Sequence, residues 1–121
     1  MDGSRSARFV EARLRDGREV RIVHRGQSMV PALRDGDRLR VAPLDREAAP
    51  GEIVLARRGP RLVAHRLVAR EAGRAITRGD ACAADDPPLA ESLLVGRVVA
   101  VERPLLRRCA RLLARLLTAP R

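Results

Sequence analysis

Ser28, His65 and a group of three aspartates are the residues of this chain whose types and order could do chemistry. Ser28 sits in "RGQSMVPALRDGDRLRV", between a strand-like run and a proline. A turn at this place needs Gly and Pro, but it has no need of Ser-Met. His65 lies inside the apolar run "LVAHRLV", and Asp80, Asp85 and Asp86 gather in "RGDACAADDP". A serine hydroxyl becomes a nucleophile when a general base takes its proton. A neutral imidazole fills that role when a carboxylate fixes its tautomer and stabilises its cation. Each residue also has a plain structural reading: Ser28 as a turn or N-cap serine before the short helical turn "VPALRDG", His65 as a satisfied core histidine. The presence of all three partners in one small chain favours the chemical reading.

These residues need rigid elements to hold them. "SRSARFVEARLRDG" carries Ser N-cap candidates, good helix formers and Gly17 as a stop, which predicts a helix over residues 5–16. "EVRIVHR" alternates Val20, Ile22 and His24 against Arg21, Val23 and Arg25, which is strand period. "DRLRVAP", "GEIVLARR", "RLVAHRLVAR", "AITR" and "LLVGRVVAVE" are further strands, punctuated by Gly-Asp, Pro-Gly and Arg-Gly-Pro turns. Strands without helices between them predict a mainly β fold: a small antiparallel, partly closed sheet with a helix at each end. The 121 residues make one domain, with a core over about 18–103.

Aliphatic side chains must build the core, because the chain has one Phe and no Trp or Tyr. The formal charge of +10 comes wholly from arginine and points to an anionic partner, although the absence of lysine also looks like a coding bias. Specific nucleic-acid binding has little support without aromatic stacking platforms or a finger or helix-turn-helix pattern. Cys82 and Cys109 make no disulfide framework, and a metal site from His24, His65, Cys82 and Cys109 lacks ligand spacing, so no metal or cofactor is expected. The N-terminus has no apolar leader and no window suits a membrane span, so the expected compartment is the cytoplasm.

The most regular segment is "PLLRRCARLLARLLTAP", a predicted amphipathic helix over 104–118. Its leucines fall on one face, and Arg107, Arg108, Arg111 and Arg115 on the other. Three coverings suit the leucine face: the domain's own core, a second subunit in a homodimer, or a membrane interface with arginines meeting anionic headgroups.

The boxes and their order resemble the LexA/signal-peptidase superfamily of serine peptidases. "GQSMVPALRDGDRLRV" is similar to its nucleophile box, and "PGEIVLAR" to the next, with Glu52 where the family has Asp. "VAHRLV" resembles the base-bearing strand, "ITRGDACAADDP" the acidic box and "LLVGRVVAV" the closing strand. With His65-Arg66 at the base position and no lysine, the chain is most similar to the archaeal and endoplasmic-reticulum signal peptidases, which use Ser, His and Asp, here without a transmembrane anchor.

That resemblance implies a serine endopeptidase acting on a specific protein or peptide, with Ser28 as nucleophile and His65 as general base. The charge-relay carboxylate maps best to Asp86, and Asp80 takes the other acidic position of the box. Met29 and Pro31 complete the nucleophile box beside the substrate. The oxyanion hole would use the Ser28 N–H and a second donor. The family's hydroxyl position is occupied here by Gly26, so that donor falls to backbone or Gln27. Two other functions suit the same fold: a catalytically silent domain that binds a peptide along a sheet edge, and a LexA-like self-processing switch, disfavoured by the missing lysine. An α/β-hydrolase elbow is excluded, since Val30 stands where its second Gly belongs.

Overall fold

The computed structural model describes residues 3–103. The expected helix over 104–118, and Cys109 with it, lies outside the described residues. A helix, α1 (Gly3–Arg15), precedes seven strands: β1 (Val20–Val23), β2 (Arg38–Ala42), β3 (Ile53–Arg58), β4 (Arg61–Glu71), β5 (Arg74–Arg78), β6 (Leu89–Ala90) and β7 (Leu94–Glu102). The two-residue β6 and the 3₁₀ turn after it (Glu91–Leu93) were not predicted, being too short to show a period. The expected strands otherwise match to within two residues at their ends, and α1 starts two residues earlier and stops one earlier than expected. Gly17 ends it in a left-handed conformation (φ 79°). Its N–H donates to the Leu14 carbonyl, and the Arg18 N–H reaches back to Arg13. Together these make a Schellman stop, which favours glycine at this position.

The strands form one antiparallel sheet of order β1-β2-β7-β3-β4-β5-β6, curled into a half-barrel. Register shifts at Arg40/Val41, Leu55/Ala56 and Leu67/Ala69 mark bulges. Each bends its strand and increases the local twist, which helps the sheet to curl. The central strands are covered on both faces, so β3 reads as a continuous apolar run rather than an alternation. Leu55 pairs with Ala64, and both join a cluster with Leu14, Met29, Leu33, Leu39, Val41 and Val95. Val54 pairs with His65, and Val54 belongs to a second cluster with Leu67, Ala75, Leu89 and Leu94.

The segment bearing Ser28 is a loop between β1 and β2. Its neck is closed by the His24 N–H donating to the Asp37 carbonyl (2.8 Å) and the Gly36 N–H to the His24 carbonyl (2.8 Å), which prolong the β1–β2 pairing. The expected helical turn here is an irregular turn holding a single helix-like bond, Leu33 N–H to Met29 carbonyl. Buried Asp37 ties the loop further: its Oδ2 accepts the Arg34 N–H (2.8 Å) and Arg103 Nε (3.4 Å). Arg103 also donates to the carbonyls of Pro31 and Ala32.

Met29 and Leu33 plug this loop into the core with no exposed surface. Met29, grouped with the substrate-contacting residues in the sequence reading, therefore offers nothing to a substrate and holds the loop instead. Met29→Ala is expected to lower stability by about 2–5 kcal/mol, and Met29→Leu by less than about 1.5 kcal/mol. Urea unfolding of the two variants checks this.

Candidate active site

Ser28, His65 and Asp86 come from three separate parts of the fold. Ser28 lies on the β1–β2 loop, His65 in the middle of β4, and Asp86 on the loop between β5 and β6. Ser28 Oγ is 3.1 Å from His65 Nε2, and His65 Nδ1 is 2.6 Å from Asp86 Oδ2. His65 is buried, whereas Ser28 and Asp86 are half-buried. The three side chains thus form one hydrogen-bonded row from a partly open serine to a carboxylate.

The carboxylate sets the direction of that row. Burial pushes the Asp86 pKa upward, but hydrogen bonds from His65 and from the Thr77 hydroxyl (2.7 Å) outweigh it, and the net shift is downward. An ionised Asp86 can only accept, so Nδ1 of His65 carries the hydrogen and Nε2 is free to accept from the Ser28 hydroxyl. Behind Asp86, Thr77 accepts in turn from Arg58 Nη2 (3.1 Å), which also lies 3.9 Å from Asp86 Oδ2. The sequence reading missed both residues. Thr77 is fully buried on β5, and its only sequence signal is a polar residue inside the short apolar strand "AIT".

Asp80 is not beside the imidazole row. Its carboxylate takes a two-pronged grip from Arg66, Nε to Oδ1 at 2.8 Å and Nη2 to Oδ2 at 2.7 Å, and this holds its pKa below the ordinary range. Arg66 Nη1 also reaches the Gly51 carbonyl. Asp80 thus holds the loop through Arg66 and meets His65 only as a weaker electrostatic partner, not as a hydrogen-bonded one. The Asp80 N–H points to the Met29 sulfur (3.3 Å), and the next N–H, of Ala81, donates to the Ser28 carbonyl (2.9 Å). Asp85 is exposed and pairs loosely with Arg78.

Gly79 makes this approach feasible. A Cβ there would lie 2.7 Å from the Ser28 carbonyl oxygen and 3.2 Å from His65 Nε2. On the other side of Ser28, Gly26 has φ 97° and donates its N–H to Asp35 Oδ1 (2.8 Å). That N–H is committed, whereas the Ser28 N–H has no acceptor among the described residues. Gln27 and Pro31 are exposed, and the Val30–Pro31 peptide is cis.

A cleft of about 370 Å³ opens at Ser28, lined by residues 22–25 on one side and 61–64 on the other, with Leu55 between. β1 is an edge strand, and residues 61–65 of β4 pair only with β3, since β5 begins its pairing at Arg66. Two unpaired strand edges thus face the cleft. His24, in its wall, is buried, and that burial lowers its pKa against the pull of Asp37 and Asp35. Among the described residues no three His, Cys, Asp or Glu side chains gather as a metal site, and Cys82 is a free, exposed thiol.

Two tests follow from this geometry. Gly79→Ala is expected to leave the protein folded but to displace Ser28, so that reaction of the serine with a fluorophosphonate slows by about tenfold or more, read by intact mass. The second concerns acid. With the Asp86 pKa lower in the folded than in the unfolded state, its stabilisation is complete above the ordinary carboxylate range and is lost as pH falls through the folded value. Asp86→Asn is therefore expected to be less stable than wild type at neutral pH, with the gap closing in acid, as measured by urea midpoints.

Compared with known proteins, the chain matches no family model, and no curated protein matches it either.

Proposed function

We propose that this protein is a serine endopeptidase of the signal-peptidase type, cleaving a specific protein or peptide through Ser28, His65 and Asp86. The single observation that carries the reading is the continuous row Ser28 Oγ, His65 Nε2 and Nδ1, Asp86 Oδ2, with steps of 3.1 and 2.6 Å. Such a row gives a serine its base and gives the base its orienting carboxylate.

The substrate lies extended in the cleft, where the free edges of β1 and of β4 offer backbone hydrogen bonds. Ile22, Leu55, Leu62 and Ala64 suit it to small and aliphatic side chains. Ser28 Oγ attacks the carbonyl carbon as its proton passes to His65 Nε2. Asp86 stabilises the imidazolium so formed. The negative charge on the carbonyl oxygen falls to the unengaged Ser28 N–H, with backbone or Gln27 as the second donor. Collapse of the tetrahedral intermediate breaks the C–N bond, and His65 returns its proton to the departing amine. Water, deprotonated by the same imidazole, then hydrolyses the acyl-serine and regenerates the hydroxyl. Asp80 and Arg66 are positioning residues in this scheme, since they hold the loop against the Ser28 carbonyl.

A fluorophosphonate probe tests the reading. It is expected to modify Ser28 in the wild-type protein, with labelling that falls on acidification because a protonated imidazole cannot take the serine proton. His65→Ala is expected to abolish labelling as completely as Ser28→Ala, because such residues act as a unit. Asp86→Asn should slow it by up to roughly 10⁴-fold through the wrong tautomer, and Asp80→Asn by much less. Labelling that ignores His65→Ala, or none at all in a folded sample, would overturn the peptidase reading and leave a peptide-binding domain.

A further inference from the structure

A groove of about 1220 Å³ runs between α1 and β1, with Phe9, Val10, Ile22 and Val23 in its apolar lining. Phe9 is 63 % exposed and Val23 49 %, large values for apolar side chains of one contiguous patch. The rim is cationic: Arg13, Arg21 and Arg25 stand around it against one acid, Glu19. Arg13 lies over the Phe9 ring at 5.7 Å. Arg21 and Arg25 reach Glu102 and Asp35 only at 3.8 Å, with most of each arginine in solvent. Ion pairs that long and exposed leave both guanidinium groups available to a better-placed carboxylate.

This groove is continuous with the cleft at Ser28. Ile22, Val23 and Arg25 line both, so β1 forms the shared wall. A polypeptide held along β1 at the cleft has its neighbouring residues at the mouth of the groove. We propose that the groove is an exosite for the protein substrate, taking an apolar segment flanked by Asp or Glu that lies close in sequence to the bond cut at Ser28. The inference rests on the peptidase reading of Ser28. It adds a substrate class, because apolar lining and arginine rim together select a segment that is both hydrophobic and acidic. Charge disfavours other occupants. A second copy would set arginine rim against arginine rim.

The experiment uses the Ser28→Ala protein and three short fluorescein-labelled peptides, alternating Leu with Glu, Ser with Glu, and Leu with Arg. Fluorescence anisotropy is expected to show the Leu/Glu peptide binding at least about tenfold tighter than either control. Phe9→Ser should remove that advantage over Ser/Glu, and the Arg13→Glu, Arg21→Glu double variant should transfer the preference to Leu/Arg. The same groove substitutions in an otherwise wild-type protein should leave fluorophosphonate labelling of Ser28 unchanged, because that small probe does not reach the groove. Equal affinity for the three peptides, or a Leu/Glu preference indifferent to the groove variants, overturns the exosite. It is also overturned if the groove variants instead abolish sedimentation with phosphatidylglycerol vesicles, or convert a dimer to a monomer, without a peptide preference in the parent. Groove-dependent Leu/Glu binding in a protein whose Ser28 never labels defeats the peptidase reading, and with it the exosite role, leaving a docking surface on a non-catalytic domain.

Discussion

The hydrogen bond from the Ala81 N–H to the Ser28 carbonyl is the contact on which the site depends. Ser28 belongs to the loop between β1 and β2, and His65 and Asp86 belong to the β4–β5 side of the sheet. Secondary structure does not join these two regions directly. Two N–H groups of the acidic loop do so instead, one to the Ser28 carbonyl and one to the Met29 sulfur. Gly79 lets the loops approach, Met29 anchors one of them in the core, and Arg66 clamps the other through Asp80. Directional bonds of this kind fix a side chain to within a few tenths of an ångström, which a hydrophobic contact alone does not.

Much of this was legible in the sequence, for physical reasons that differ by element. The six longer strands announced themselves because a half-buried or fully buried strand must be apolar with period two or as a run. Gly17 marked a helix stop in backbone that glycine adopts cheaply, and its φ is positive. The ranking of Asp86 above Asp80 came from the family resemblance and not from the residues' own spacing. The geometry turns on Arg66, the residue after His65: its fork grips Asp80, and Asp86 faces the imidazole. A spacing pattern cannot show which of two carboxylates an arginine will grip. Nor could it show that Met29 points inward while Ser28, one residue before, stays partly open, because the loop follows neither a helical nor a strand period. Glu52 has likewise a local role, accepting the Ala49 N–H and pairing with Arg46 to close the turn before β3.

Arginine does structural work here that the net charge alone conceals. Arg66 joins Asp80 to the Gly51 carbonyl, Arg70 bridges Glu47 and Glu91, and Arg103 ties the end of β7 to the Ser28 loop. Each uses several donors of one planar head, which a lysine ammonium cannot reproduce with the same geometry. Part of the positive charge is therefore engaged in holding the fold together rather than free for a partner.

The strand order bears on when the Ser28–His65–Asp86 row can assemble. β1 and β2 form one hairpin, and β3 to β6 form a second block; β7 lies between them and pairs with both β2 and β3. The last of the described strands to leave the ribosome is thus the one that joins the two blocks. Until it emerges, the serine hairpin and the histidine block have no shared strand to set their distance, and such pairing between distant parts of the chain is slow to form. Partially synthesised chains would hold every residue of the row yet lack the row itself. The topology thus delays assembly of the Ser28–His65–Asp86 row until synthesis has passed β7.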